Sequence, residues 1–167
     1  PDDIAGVVDA VVSCLRSGGK VLLCGNGGSA ADAQHLAAEL AGRLRRERHG
    51  LPAIALTVNA SVLTAVSNDY GYEAVFSRQV EALGRPGDVL IGITTSGASA
   101  NVVRALEKAR EAGLTTVGLV GAAGGDVVEH CDHVLRAPSD DTQRVQEVHI
   151  AVGHVICELT EQELFGG

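Results

Sequence analysis

Hydrophobic positions follow two alternating rhythms along this chain. Short, almost unbroken apolar runs occupy Lys20–Cys24, Ala53–Val58, Asp88–Thr94, Thr115–Val120 and His133–Ala137. That is the pattern of strands buried on both faces. Between them, apolar residues recur at helical spacing in Ser29–Arg46, Ala60–Ser67, Glu73–Leu83, Ser99–Ala112 and Asp126–Cys131. Two more helices, Ile4–Ser17 and Thr142–Leu164, flank the series. The alternation predicts an α/β fold, a three-layer doubly wound parallel sheet of five strands with helices on both faces. With no repeat, linker or low-complexity tract, residues 1–167 read as one domain, long enough for a full hydrophobic core. In the last helix Val145, Val148, Val152, Val155, Ile156 and Leu159 form a stripe wide enough to need a partner, part of it suited to packing on this domain and the rest to a subunit interface.

Composition narrows the function classes. The net charge of −8 argues against nucleic acid as a general partner, and two tyrosines and two phenylalanines with no tryptophan give no stacking platform for single strands. Cys14, Cys24, Cys131 and Cys157 are scattered through apolar segments without a C-x-x-C, so they read as small hydrophobes of a reduced, cytoplasmic protein. No apolar run is long enough to span a bilayer, and no signal peptide precedes the first helix. The chain begins at Pro1, which fits a sequence that lacks its true N-terminus.

Two loops carry the candidate chemistry. Ligands of open α/β sheets bind beyond the carboxyl ends of strands. Gly25-Asn26-Gly27-Gly28-Ser29 leaves the first strand, and Thr94-Thr95-Ser96-Gly97-Ala98-Ser99-Ala100-Asn101 leaves the third. The first offers glycines for close backbone approach, with Ser29 as a helix start and Asp32 three residues on. The second offers four hydroxyls and a helix N-terminus, which suits a phosphate monoester. Hydroxyls and glycines also make ordinary caps, but two such loops at equivalent strand ends favour a ligand site. Neither loop is a nucleotide P-loop, and Ala30 breaks the dinucleotide fingerprint.

The helix after the first loop presents His35 and Glu39 on one face, four residues apart, suited to a metal or to acid/base work. Taken alone, the pair reads as an exposed helix contact; its place within two turns of the loop raises its interest. Arg43, a further four residues on, shares that face and could reach an anionic substrate, while Arg45, Arg46 and Arg48 read as a solvated helix end. Asn68-Asp69 follows a short helix at the same sheet edge, where Asp69 could bind hydroxyls or serve only as a turn residue. His154 interrupts the apolar stretch Val152–Ile156, and its spacing leaves three readings open: a satisfied core histidine, a metal ligand or a general acid.

These motifs, with Leu51–Leu56, Ser67–Gly71, Val145–His149 and His154 eight residues after Gln146, resemble the phosphoheptose isomerases of the sugar-isomerase (SIS) superfamily from about Gly18 to Phe165. The resemblance implies interconversion of sedoheptulose 7-phosphate and D-glycero-D-manno-heptose 7-phosphate, a homotetramer with interfacial active sites, and one zinc ion per subunit. By the same resemblance, the metal positions are His35, Glu39, Gln146 and His154, with Glu39 as general base and His154 as general acid. Asn26, Gly27, Gly28, Ser29, Asn68, Asp69, Thr94, Thr95, Ser96, Ser99 and Gln146 would line the substrate site. The family also includes non-catalytic phosphosugar-binding adaptors and isomerases of other phosphosugars; the adaptors lack the complete acid/base and metal set that is present here. The chain starts about one helix later than family members, carries Thr94 where serine is common, and has Gln143 where some members have aspartate. On one regular helix, Gln146 and His154 are about 12 Å apart along the axis, so to share a metal either the side chains lean together, the helix starts late or the two come from different subunits; the expectation is an interfacial site.

Overall fold

The computed structural model describes residues 2–166. Its elements are α1 (Asp2–Arg16), β1 (Val21–Gly25), α2 (Gly28–Ala41), β2 (Ala53–Ala55), α3 (Ala60–Tyr70), α4 (Val75–Leu83), β3 (Val89–Ile93), α5 (Ala100–Glu111), β4 (Thr115–Val120), β5 (His133–Arg136) and α6 (Thr142–Phe165), with short 3₁₀ turns at Tyr72–Ala74 and Asp126–His130. All strand pairs are parallel, in the order β2-β1-β3-β4-β5. The predicted doubly wound sheet is therefore present.

Strand alternation divides the core into two layers. Val21, Leu23, Val89, Ile91, Val117 and Leu119 face α1, α2 and α6, whereas Leu22, Cys24, Leu90 and Val120 face α4 and α5. Burial raises the thiol pKa to about 11 at Cys14 and about 12 at Cys24, Cys131 and Cys157, so at neutral pH these cysteines are protonated rather than reactive thiolates.

Most element ends fall within two residues of the sequence pattern, and four larger departures stand out. The second strand, at one edge of the sheet, stops at Ala55; Leu56 still donates to the Leu23 carbonyl, and the chain then turns away. The third helix runs on through Asn68 and Asp69 to Gly71, whose φ of 89° ends it. Asp126–His130 is a 3₁₀ turn rather than an α-helix. The largest difference is in α2, which ends at Ala41 rather than Arg46. Residues 44–46 leave the helix to place three backbone N–H groups on the Glu161 carboxylate. They do not form a helix end, although the Arg45 and Arg46 side chains remain exposed as their charge suggests.

Candidate active site

β1 and β3 are neighbours at the centre of the sheet, but β1 leads toward β2 and β3 toward β4 on the opposite side. The crevice between them is the topological switch point of the sheet, where ligands of such folds bind. Gly25 is in register with Ile93, so the two loops leave the sheet at the same level. Between them lies a cleft of about 260 Å³, bounded by Asn26, Gly27, Gly28, Ser29, Ile93, Thr94, Thr95, Ser99, Thr142 and Gln146. No charged side chain lines it. Instead α2, α5 and α6 all begin there, at Gly28, just after Ser99 and at Thr142. Three positive helix ends converge on one polar cleft, an arrangement that favours an anion.

The hydroxyls at the cleft are not occupied as caps. Ser99 makes no capping hydrogen bond to α5; its Oγ lies 3.0 Å from Thr94 Oγ1, which also accepts from the Gly97 N–H. Among the described residues, the N–H groups of Ala100 and Asn101 have no acceptor. The first loop differs. The Ser29, Ala30 and Ala31 N–H groups bond back to Asn26 and Gly27, and Ser29 is buried inside the first turn rather than capping it. The second loop therefore supplies the freer donors. Asn26 and Asn101 pair through both amides (2.8 and 2.9 Å), and the Tyr72 hydroxyl donates to Asn26 Oδ1, which ties the two loops together.

A second group sits farther along the same helices. His35 Nε2 lies 3.0 Å from Glu39 Oε1 and 3.0 Å from His154 Nε2, although 119 residues separate the histidines in sequence. The approach depends on Gly153, where α6 crosses α2; a Cβ there would lie 2.6 Å from both Leu36 methyl carbons. Ligand atoms of His35, Glu39 and His154 all fall within 4.8 Å of one another. His35 Nε2 can carry one proton yet faces two electron-rich neighbours. Two imidazole nitrogens and a carboxylate oxygen are a donor set that zinc accepts.

Asn26, Gly27, Gly28, Ser29, Thr94, Thr95, Ser99 and Gln146 are thus brought together at the cleft. Gln146 packs its amide against Gly28, and uninterrupted α6 separates it from His154 by about 12 Å. Within one chain, three of the four residues implied as metal ligands meet. Ser96 lies outside the cleft lining, its Oγ accepting from Ala98 N–H. Asn68 and Asp69 bond to each other on the exposed face of α3. Arg43 is drawn to Glu47 at 3.5 Å rather than to the cleft. Thr142 and Asn101 escape the residue-level reading. The signal for Asn101 is its place at the end of the hydroxyl-rich loop, and for Thr142 its place at a helix start.

Between the two groups, Asp32 Oδ2 and His149 Nδ1 are buried without hydrogen-bond partners. Desolvation raises the Asp32 pKa, opposed by His149 and His35. Desolvation lowers that of His149, whose Nε2 donates to the Val120 carbonyl at 3.1 Å. The consequence for stability follows from linkage. With its folded pKa below the unfolded value of about 6.5, His149 makes the unfolded state the better proton acceptor once the pH falls past that value. Urea midpoints should therefore fall between pH 7.5 and 5.5, with this residue contributing up to about 1.4 kcal/mol per pH unit. His149→Gln should flatten that limb; an unchanged slope in the variant would contradict the assignment.

Known proteins share this fold over nearly the whole chain. The SIS domain family profile matches residues 1–121. The phosphoheptose isomerase of Roseiflexus sp. (strain RS-1) is 64% identical over 97% of this chain and 82% of its own length. That of Clostridium acetobutylicum is 56% identical over 99% and 84%. Among solved structures, the phosphoheptose isomerase from Francisella tularensis aligns at a TM-score of 0.94 and 43% identity, over 97% of this chain and 86% of that one. The Neisseria gonorrhoeae enzyme aligns at 0.91 and 45%, over 96% and 86%. Fold and relatives agree: the chain belongs to the phosphoheptose isomerase family of SIS-domain proteins.

Proposed function

We propose that this chain interconverts sedoheptulose 7-phosphate and D-glycero-D-manno-heptose 7-phosphate through an enediol, as a cytoplasmic enzyme of heptose biosynthesis. Family membership supports the substrate. The observation that carries the reading is the spacing of the two groups. Gly28 of the anion cleft and His35 of the His–Glu–His group are seven residues apart on α2, about 10 Å along its axis. From C2 of a heptose 7-phosphate to phosphorus there are seven bonds, about 9 Å when extended at ordinary bond lengths. A phosphate seated in the cleft leaves C1 and C2 beside the proton-transfer group, so binding energy far from the reaction holds the reacting carbons in place.

In this reading Glu39 removes a proton from C1 of the ketose while His154 delivers one to O2, giving the enediol. Loss of the O1 proton and protonation at C2 then complete the aldose. Glu39 turns Oε1 toward His35, and Oε2 has no hydrogen-bond partner among the described residues, which leaves it available as the base. Thr94, Thr95, Ser99 and the start of α5 grip the phosphate; Asn26, Gly27, Gly28, Ser29 and Gln146 line the sugar. Zinc, one per subunit, would be held by His35, Glu39 and His154, and when bound would polarise the carbonyl and stabilise negative charge on oxygen.

We infer further that the active unit is a homotetramer with interfacial sites and that the chain acts as a single SIS domain. α1, α2, α5 and α6 pack directly on the sheet, whereas α3 meets chiefly α4 and the Tyr72–Ala74 turn, buries none of its residues and holds Asn68 and Asp69 away from the cleft. A second copy is the surface that would use Asn68, Asp69, Ser96 and Arg43. None of the described helices is long and apolar enough to cross a membrane.

Incubation with sedoheptulose 7-phosphate tests the reading. The aldose should form, a chelator should stop it, zinc should restore it, and the activity should elute as a tetramer. Tight binding without turnover would favour a non-catalytic phosphosugar-binding role instead.

A further inference from the structure

Glu161 and Arg48 are buried charged residues that no step above uses. Both side chains are almost wholly buried, 2% and 1% exposed. Glu161 Oε1 accepts from the Leu44 N–H (2.9 Å) and Arg48 Nε (3.0 Å), and Oε2 accepts from the N–H groups of Arg45 and Arg46 (3.0 and 3.1 Å). Arg48 turns its other nitrogens onto the end of α2. Nη1 donates to the carbonyls of Leu40, Gly42 and His49, and Nη2 donates to the carbonyl of Glu39 itself at 2.9 Å. These include carbonyls that a helix terminus otherwise leaves without partners.

The clamp joins the two helices that carry the proton-transfer group. Glu161 follows His154 by seven residues, two turns along the same face of α6. Between the clamp and His154, α2 and α6 meet through Leu36, Leu40, Gly153, Ile156 and Cys157. Apolar contacts of that kind tolerate sliding and repacking. A carboxylate held by four N–H donors does not, because a shift of an ångström breaks its hydrogen bonds. Nor is a buried ion pair needed for stability, since apolar substitutes of similar volume often serve as well. Burial pushes the Glu161 pKa up, but the three backbone N–H groups and Arg48 outweigh it and hold the carboxyl below its ordinary value, so it stays ionised at neutral pH.

We propose that Glu161 and Arg48 are positioning residues: their clamp fixes the axial register of α6 on α2 and thereby the spacing of His35, Glu39 and His154. This rests on the isomerase reading for its kinetic consequence, but not for its geometric one.

The test uses the double variant Glu161→Leu/Arg48→Met, which removes both charges together and avoids an unpaired buried ion. Glu161→Gln, a milder change, stands in if the double variant does not fold. In the folded variant kcat for sedoheptulose 7-phosphate should fall at least tenfold, with KM within about twofold, because the anion cleft lies at the other end of α2. Zinc affinity, read by competition with a chromogenic chelator, should fall about 10- to 100-fold, the range for residues that orient metal ligands. A crystal structure of the variant should show His35 Nε2 and His154 Nε2 displaced from their 3.0 Å separation. Arg48→Lys, which keeps the charge, should recover part of kcat. A folded variant with unchanged kcat, or with that separation unchanged, would overturn the proposal. If the unaltered protein fails to turn over the sugar, the isomerase reading fails, while the crystallographic comparison still decides the clamp.

Discussion

Glu39→Gln should lower kcat for sedoheptulose 7-phosphate by about 10²- to 10⁴-fold, the contribution of a positioned general base. The substitution keeps the shape of the side chain and a carbonyl oxygen that can still face His35, but removes the basic lone pair. It should not unfold the protein. Glu39 is partly exposed, and its contact with His35 is a near-surface pair of small energetic weight. The Arg48 bond to residue 39 goes to the backbone carbonyl and survives. Binding of inorganic phosphate at the cleft should be unchanged, since Glu39 does not line it. Circular dichroism, phosphate competition and steady-state kinetics on one preparation separate these effects. Unchanged kcat would remove Glu39 from the mechanism.

Gly153→Val should damage catalysis and stability together. At this point α6 lies so close to α2 that a single added carbon would sit 2.6 Å from both Leu36 methyls. Leu36 is itself 3% exposed, so its methyls can yield only within the core. Whatever Leu36 does not absorb displaces α6, and His154 is the next residue. Over-packing of this kind costs about 1–3 kcal/mol, and a misplacement of about 1 Å at the reacting groups costs about 10²-fold in rate. Gly153→Ala should fall between the variant and the parent. Urea denaturation and kcat measure the two effects; a Gly153→Val protein with full stability and full kcat would mean that the crossing has room the structure does not show.

The strands were readable because burial on both faces makes them continuous apolar runs, and four of the five lie within a residue or so of where that pattern puts them. β2, one of the two edge strands, is the exception: its pairing with β1 ends at Ala55, while the sequence pattern continues through 56–58. The cleft was readable for a similar local reason, since each loop follows its strand directly. What lay beyond local reading depends on distant partners. Nothing near residues 44–46 says that their N–H groups will wrap a glutamate more than a hundred residues away, so the helical pattern overruns the true end of α2. His154 alone allowed three readings, and its approach to His35 is created by the Gly153 crossing. The α3 residues Asn68 and Asp69 belong to the same class, for their proposed role needs a surface that one chain does not supply.

The central claim is that a phosphate held at the β1/β3 switch point places C1 and C2 of a heptose beside a base and an acid that exchange protons with water. Its most direct test is turnover of sedoheptulose 7-phosphate in deuterium oxide, followed by NMR. The His35 side chain is about half exposed, so the group is open to solvent exchange. The account predicts aldose carrying solvent deuterium at C2, with deuterium also entering C1 of the recovered ketose as the reaction reverses. Aldose formed with no solvent hydrogen at either carbon, or a sugar bound and returned unchanged, would contradict it.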